Sequence, residues 1–228
     1  AEHYVLVDFH GSFKPSGLRS KWPYLITREG VVGMENTKWS DKSGPNYTTA
    51  IPFIRMVAGP MDYTPGAMRN AQKVSFKPIF NLPFSQGTRV HQLALYVVFE
   101  SPLQMLSDSP SAYEREPECL SFIARCPTTW EETAALDGQV GSHVLVARRH
   151  GDRWWLGGLT NWESRELTVP LGFLGGGQWE VELFTDGPNA DRAGQDYVRE
   201  TRQVSASDTL MVGLAPGGGV AAVFTPVR

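Results

Sequence analysis

The sequence predicts an α/β region followed by an all-β region. Residues 1–130 are expected to form half of a (β/α)₈ barrel of the TIM type, and residues 131–228 an antiparallel β-sandwich. The first part alternates apolar strand patterns with helical patterns, which is typical of β/α units. The second part consists of short apolar runs separated by turn residues, which is typical of a sandwich. A complete barrel takes about 250 residues, so this length allows about four of its eight units.

Four segments of the first region resemble buried parallel strands. Residues 3–9 form a near-continuous apolar run, and residues 27–35 carry Gly30 and Gly33 between apolar residues. Parallel strands covered on both faces give such runs. Residues 57–62 and 103–106 complete the set. The four candidates end near Gly11, Glu35, Asp62 and Asp108.

Three segments of the first region have helical spacing. Residues 88–99 place apolar side chains on a broad face, which predicts a packed helix ending before Ser101-Pro102. Residues 48–56 and 111–124 are the other two, and the last has acidic residues early, as the helix dipole favours.

After about residue 133 the pattern becomes that of an antiparallel sandwich. Glycine-rich or Asn/Asp-Gly turns separate many of its short runs, so strands are expected in each. The predicted strands are residues 144–147, 154–157, 167–169, 179–183, 210–212 and 221–224. Within them, Trp154-Trp155 is expected to lie in the core rather than to stack on a sugar.

Composition excludes some classes of partner. The net charge is −3, which gives no reason to propose nucleic acid as a partner. No apolar run approaches the roughly 18 residues of a membrane span. Cys119 and Cys126 would lie about 10 Å apart on one helix, too far for a disulfide, so buried free thiols are expected.

Carboxylates dominate the predicted strand ends: Glu29, Glu35, Asp62 and Asp108, with Glu131 just beyond. Cleavage of a glycosidic bond needs two carboxyl groups, one that donates a proton and one that acts as nucleophile or base. Strand ends of a barrel meet at one mouth, where barrel enzymes place their chemistry. Acids at strand ends are common, however, so their positions alone are a weak signal.

Glu29 and Glu35 would stand about 20 Å apart in a fully extended chain. Only a chain that turns back, which Gly30 and Gly33 permit, brings them to one site. Two adjacent carboxylates repel unless a cation such as Ca²⁺ joins them or one keeps its proton. Either outcome suits catalysis.

Other motifs favour no second chemistry. No Gly-x-Ser-x-Gly motif and no Ser-His-Asp arrangement can be recognised. The two glycine triplets, 175–177 and 217–219, lack a following Lys-Ser/Thr and are expected to be turns rather than phosphate loops. His10, at a strand end, is expected to have a structural or substrate-orienting role more than a catalytic one.

At these residues the sequence closely resembles glycoside hydrolase family 97, and the resemblance covers essentially the whole chain. The matching segments are His10-Gly11, residues 14–19, 27–30, 33–36, 58–66, 100–106, 127–133 and 214–219. They include Lys14-Pro15-Ser16-Gly17-Leu18-Arg19, Gly33-Met34-Glu35-Asn36, Ala58-Gly59-Pro60-Met61-Asp62 and Pro127-Thr128-Thr129-Trp130-Glu131.

The resemblance implies a role for individual residues. Glu35 matches the general acid, and Glu29 matches an acid that helps to hold Ca²⁺, so Glu29 and Glu35 are the expected metal ligands. Members with Gly at position 11 belong to the retaining, α-galactosidase-like group, whereas inverting α-glucosidases have Glu there. A small carbohydrate substrate is implied, and five residues are expected to bind it: His10, Lys14, Arg19, Asp62 and Glu131.

The chain also departs from the family. The first barrel half, with the nucleophile and a further calcium ligand, does not occur in these residues, so the four strands correspond to the fifth to eighth. Residual activity would then need Asp8, Asp62 or a water molecule as nucleophile. The alternatives are a non-catalytic carbohydrate-binding or interaction fragment and a hydrolase of altered, ester specificity. Open half-barrel edges predict a homo-oligomer, and the resemblance implies a periplasmic or secreted location.

Overall fold

The computed structural model describes residues 3–82 and 84–227. Helices and short parallel strands come first, and a large antiparallel sheet follows, so the mixed α/β and all-β composition is confirmed. The elements before the large sheet are β1 (Val7–Phe9), α1 (Leu18–Lys21), β2 (Leu25–Arg28), α2 (Pro45–Thr48), α3 (Ile51–Ile54), β3 (Asn70–Ala71), β4 (Ser85–Gln86), α4 (Arg89–Val98), α5 (Pro110–Glu114) and α6 (Pro117–Arg125). Two 3₁₀ turns, Met34–Lys38 and Met56–Ala58, lie between them.

Three of the four predicted parallel segments lie side by side. β1 pairs with β2 in parallel, and Arg28 at the end of β2 forms a parallel bridge with Met61. The carboxyl ends of these segments therefore lie at one edge, as in the mouth of a barrel. The half barrel as a whole stays a prediction, because β1 and β2 are short and the third segment contributes a single bridge.

Several predicted elements are shorter than expected or were wrong. β1 begins at Val7 instead of residue 3, and β2 ends at Arg28 rather than continuing to Glu35. The segment 103–106 is not a strand. Its backbone carbonyls accept hydrogen bonds from side chains instead. The Ser101 hydroxyl donates to the Leu103 carbonyl, and the Tyr96 hydroxyl donates to the Met105 carbonyl.

Proline divides two of the three predicted helices. Pro52, near the first position of α3, has no N–H to donate to the carbonyl of Thr48. Residues 48–56 therefore hold the last residue of α2, then α3 and the start of a 3₁₀ turn. Pro117 likewise separates α5 from α6 within residues 111–124. The third helix is confirmed, because α4 spans Arg89–Val98 and begins with the Thr88 side chain accepting the N–H of His91.

The second region is a two-layer sandwich. Its strands are β5 (Glu132–Gln139), β6 (His143–His150), β7 (Arg153–Thr160), β8 (Arg165–Pro170), β9 (Gln178–Asp186), β10 (Tyr197–Ser205), β11 (Thr209–Leu214) and β12 (Gly219–Pro226). Six of them form a sheet in the order β10-β9-β12-β7-β6-β5, and β8 pairs with β11. The boundary placed at residues 130/131 stays a prediction; the first strand of the large sheet begins at Glu132.

Two apolar cores cover the two faces of the six-stranded sheet. One lies between this sheet and the β8–β11 pair and contains Trp154, Leu156 and Phe224. The other lies against α4 and α6 and contains Trp155, Phe122 and the buried residues of α4. Trp154 and Trp155 are thus core residues, as expected from the sequence.

The two cysteines form no disulfide. Both cysteines are free as predicted, but Cys126 is only partly buried, whereas Cys119 is fully buried.

The triplet at 217–219 is a turn that encloses the carboxylate of Asp186. This carboxylate accepts hydrogen bonds from the N–H groups of Ala215 at 2.9 Å and Gly219 at 3.1 Å. Within residues 3–82 and 84–227, no helix has the length and apolar character needed to span a membrane.

Candidate functional site

Four acidic residues and one histidine meet where the parallel segments end. Asp8 lies in β1 and His10 follows it, Glu29 follows β2, and Asp62 follows the Met61 bridge. Glu35 joins them from the 3₁₀ turn that begins at Met34. The sequence predicted this convergence for His10, Glu29, Glu35 and Asp62.

His10 lies at the centre of the cluster. Its Nε2 forms a hydrogen bond with Oδ2 of Asp62 and lies 3.7 Å from Oδ2 of Asp8. Its Nδ1 lies 3.9 Å from Oε1 of Glu29. The His10 side chain is half exposed, whereas the Asp62 carboxylate is almost fully buried. The imidazole thus spans from a buried carboxylate to the open side of the site.

Burial and mutual repulsion alter the protonation of this cluster. The pKa of Asp8 is raised to about 6, because the carboxylate is buried and faces the negative charge of Asp62. Burial lowers the pKa of His10, but the hydrogen bond and charge of Asp62, with the charges of Glu29 and Asp8, outweigh it and raise the pKa overall. Neither carboxylate oxygen of Asp8 has a hydrogen-bond partner among the described residues.

The surroundings of Glu35 favour the protonated form of its carboxyl group. Its pKa is raised, first because the side chain is half-buried and then because the Glu29 carboxylate lies beside it. The chain turns back between the two residues at Gly30, which has a positive φ of 50°. Gly33 leaves room for the acid, since a Cβ there would lie 2.3 Å from Oε2 of Glu35. Gly30 therefore provides the predicted turn, whereas Gly33 has an extended backbone, with φ −69°, and leaves room for the side chain instead.

Arg55 fixes the loops that carry the acids, and the sequence analysis did not identify it. Its buried guanidinium donates only to backbone carbonyls at the end of β2 and before Asp62. The acceptors are Arg28, Glu29, Gly30, Gly59 and Pro60, at 2.9 to 3.3 Å. An arginine between Ile54 and Met56 in a helical segment was the only signal, and it suggested a solvated residue.

Lys14 and Arg19 are both exposed. The backbone of Lys14 packs against Gly30, where a Cβ would lie 2.7 Å from the Lys14 nitrogen. This contact brings the loop beside Glu29, and the Lys14 side chain is exposed. Arg19 is exposed in the short helix α1. Their predicted contacts with substrate stay predictions.

Glu131 and Asp108 have other partners. Glu131 contacts the β6–β7 hairpin, where its carboxylate accepts Nη1 of Arg149 at 2.6 Å and the N–H of Gly151 at 3.1 Å. None of the contacts described for it involves the cluster around His10. The carboxylate of Asp108 accepts hydrogen bonds from Nη1 of Arg69 at 3.0 Å and from the N–H of Met68 at 3.1 Å. Asp108 also borders the 180 Å³ cavity beside Glu35.

Two sets of side chains could hold a cation. Asp8, His10 and Asp62 offer three ligand atoms within 4.8 Å of one another. Glu29 and Glu35, the predicted calcium ligands, offer only oxygen atoms, which Ca²⁺ prefers. The donor set of the second pair fits calcium better, since Nε2 of His10 is already hydrogen-bonded to Asp62.

Comparison with known proteins gives consistent results. Residues 129–225 match the family described as "Glycosyl-hydrolase 97 C-terminal, oligomerisation". A retaining alpha-galactosidase from Bacteroides thetaiotaomicron is 51% identical over 97% of this chain, and a probable retaining alpha-galactosidase from Streptomyces bingchenggensis is 36% identical over 98%. A glycoside hydrolase family 97 enzyme from Pseudoalteromonas sp. strain K8, solved with acarbose, superposes with a TM-score of 0.90 at 37% identity and covers the whole chain.

The chain spans only about a third of these proteins. It covers 34% and 32% of the two relatives and 36% of the solved enzyme. The activity of the whole relatives therefore applies to this chain only as a hypothesis.

Proposed function

Because this chain belongs to glycoside hydrolase family 97, we propose that it supplies the acid/base side of a retaining α-galactosidase site. The observation that carries the proposal is the position of Glu35, whose pKa is raised by burial and by Glu29 at the edge where the parallel segments end. A raised pKa keeps a larger share of a carboxyl group protonated, which is what a general acid requires.

Glu35 acts in both half-reactions. In the first, its proton passes to the glycosidic oxygen while a nucleophile bonds to the anomeric carbon and the leaving alcohol departs. In the second, the Glu35 carboxylate takes a proton from water, whose oxygen then displaces the nucleophile. The resemblance to the family implies a nucleophile outside these residues, and turnover by the chain alone would use Asp8, Asp62 or a water molecule in its place.

Gly11 supports the retaining course. An inverting site needs a carboxylate base on the opposite face of the sugar, and the inverting members have Glu at this position. Gly11 has no side chain, a positive φ of 59°, and an N–H that donates to Oε2 of Glu29 at 2.6 Å. In this chain Gly11 therefore orients the Glu29 carboxylate through its backbone N–H and provides no catalytic base.

His10 orients the sugar in this proposal. The hydrogen bond to Asp62 fixes the ring, and the half-exposed edge faces the open side of the site. A protonated imidazole beside three carboxylates can donate a hydrogen bond to a sugar hydroxyl. Asp62 then acts as a positioning residue. Lys14 and Arg19, both exposed, contact the same sugar in this proposal.

Calcium fits the pair Glu29 and Glu35. When bound, the ion would offset the repulsion between the two carboxylates and lower the pKa of Glu35. The chain's own contribution is to hold these side chains together through the turn at Gly30 and the guanidinium of Arg55.

The test is hydrolysis of aryl α-galactoside, aryl α-glucoside and aryl acetate. Glu35→Gln should lower glycoside turnover by at least about 100-fold, the contribution of a general acid. Glu114→Gln, which changes an exposed glutamate of α5, is the matched control and should leave the rate unchanged. Turnover of the aryl α-galactoside is expected to exceed that of the aryl α-glucoside.

A second function is a carbohydrate-binding fragment without turnover. The observation in its favour is that the chain spans about a third of its relatives. It would show as a rise in melting temperature with galactose but no hydrolysis by the wild type. An esterase remains the third candidate, and aryl acetate turnover that survives Glu35→Gln would support it.

A further inference from the structure

The largest cavity described lies away from every candidate site residue. It is an open cleft of about 570 Å³ between residues 39–47, residues 73–78 and the turn after β7. This volume is within the range of about 300–1,000 Å³ that is typical of small-ligand sites. The cleft is lined by Trp39, Tyr47 and Trp162 together with Lys42, Asn46 and Lys73.

The two indole rings of this cleft are supported from behind. Trp39 is 57% exposed and lies against Phe80, with ring centroids 6.3 Å apart and planes 30° apart. Trp162 packs on Gly217, where a Cβ would lie 2.8 Å from Cζ3 of the indole. Two indoles therefore border one cleft, and apolar surface grouped in this way is typical of ligand-binding grooves, whereas single exposed apolar residues are not.

Polar groups surround these rings. The buried side chain of Gln86 donates from Nε2 to the carbonyl of Asp41 at 2.8 Å and packs against Gly44, which fixes the loop over residues 41–44. Lys42, Lys73 and Asn46 present exposed donors at the opening. The Tyr47 hydroxyl accepts the N–H of Val32 at 2.7 Å, which ties the cleft to the loop before Glu35.

We propose that this cleft binds a neutral oligosaccharide, a disaccharide or longer. The apolar C–H face of a pyranose packs on an indole, and its hydroxyls accept hydrogen bonds from amide and ammonium groups. The cleft provides two indoles for more than one sugar ring and only one acidic residue, Asp41. The choice of sugar as ligand rests on the proposed function, whereas the cleft uses none of the residues that carry that function.

The test is calorimetric titration of the intact chain with stachyose, an α-galactosyl oligosaccharide, and with galactose alone. Stachyose should bind more tightly than galactose. Trp39→Ala should weaken stachyose binding by about tenfold or more, equivalent to about 1.4 kcal/mol, and Trp39→Phe should restore part of it. The matched control is Met211→Ala, which changes an apolar residue of β11 that is as exposed as Trp39, at 57%.

Each outcome separates the cleft from the acid cluster. Stachyose binding that is lost in Trp39→Ala and kept in Glu35→Gln supports the cleft even if no hydrolysis occurs, a result that would count against the proposed function alone. Binding that is lost in Glu35→Gln and kept in Trp39→Ala overturns the cleft and leaves the proposed function intact. Absence of stachyose binding at millimolar concentration, or full competition by inorganic sulfate, also overturns it.

Discussion

His10 lies between three carboxylates, and this arrangement makes the stability of the site depend on pH. The pKa of Asp8 rises from 3.8 to about 6 on folding, so the folded state binds more protons than the unfolded state between these values. Stability therefore falls as pH rises through this window. The raised pKa of His10 acts in the same direction, since its contribution is present below the unfolded value and is lost as pH rises through the folded one.

Asp8→Asn should remove most of this dependence. We expect the variant to be more stable than the wild type at pH 7 by about 1 kcal/mol, which corresponds to about 2–4 °C in melting temperature. This free energy is smaller than the full pKa shift implies, because solvent near Asp8 screens its charge. At pH 4 the two proteins should melt together. Asp191→Asn, at an exposed aspartate, is the control. Equal pH profiles for Asp8→Asn and the wild type would contradict the assignment.

Arg55 is the residue on which the geometry of the acids depends. Its guanidinium donates hydrogen bonds to five backbone carbonyls, and these carbonyls would lose that donor if Arg55 were replaced. Arg55→Met should lower the free energy of unfolding by about 3 kcal/mol, measured by urea denaturation. Arg115→Met, at an exposed arginine, should change it by less than about 0.5 kcal/mol. A small effect of Arg55→Met would mean that water replaces the guanidinium.

At the scale of elements, helix α4 connects the two regions. All ten of its residues are buried, which is possible only because the sheet approaches the helix closely. Two glycines permit the approach. A Cβ at Gly157 in β7 would lie 2.8 Å from Cβ of Val97, and one at Gly219 would lie 2.8 Å from Cα of His91.

Gly157→Ala should therefore destabilise the protein by about 1–3 kcal/mol, the usual effect of overpacking a core. Gly213→Ala is the matched control, because Gly213 is also in a strand, β11, and nothing lies within 4 Å of the added Cβ. Urea denaturation of both variants measures the difference. Equal stabilities would show that α4 shifts away from the sheet without loss.

Two strands of the sandwich were missed by the sequence analysis for the same reason. β5 and β10, neither of which was predicted, are the two edge strands of the six-stranded sheet. Most of their residues are exposed on both faces, so they carry no apolar alternation. Their charged residues, among them Arg199, Glu200 and Arg202, suit an edge that must not pair with another sheet.

At the scale of the whole molecule, apolar side chains are exposed around β1 and α1. Tyr4 and Leu6 are 98% and 66% exposed, and Phe9, Leu18 and Trp22 line a groove of about 240 Å³. We propose that in this chain a second copy covers this face.

The double variant Leu18→Ser, Trp22→Ser should then sediment as a monomer under conditions in which the wild type sediments as a larger species. Met211→Ser, which changes an exposed apolar residue of β11, is the control and should behave as the wild type. Dissociation of the Met211 variant alone would place the contact on the sandwich, in agreement with the oligomerisation role described for the matching family.

The sequence by itself determined the family, the mixed architecture, helix α4 and the inner strands of the sandwich. It also indicated that the chain could turn back at Gly30 to bring Glu29 toward Glu35. These features follow from local patterns of apolar spacing, glycine and motif residues, which act over a few positions. Only the tertiary structure decided that His10 bonds Asp62 across 52 residues, that Arg55 binds five carbonyls, and that Trp39 and Trp162 share a cleft. Such contacts depend on how distant segments pack, and a pattern of neighbouring residues does not record that packing.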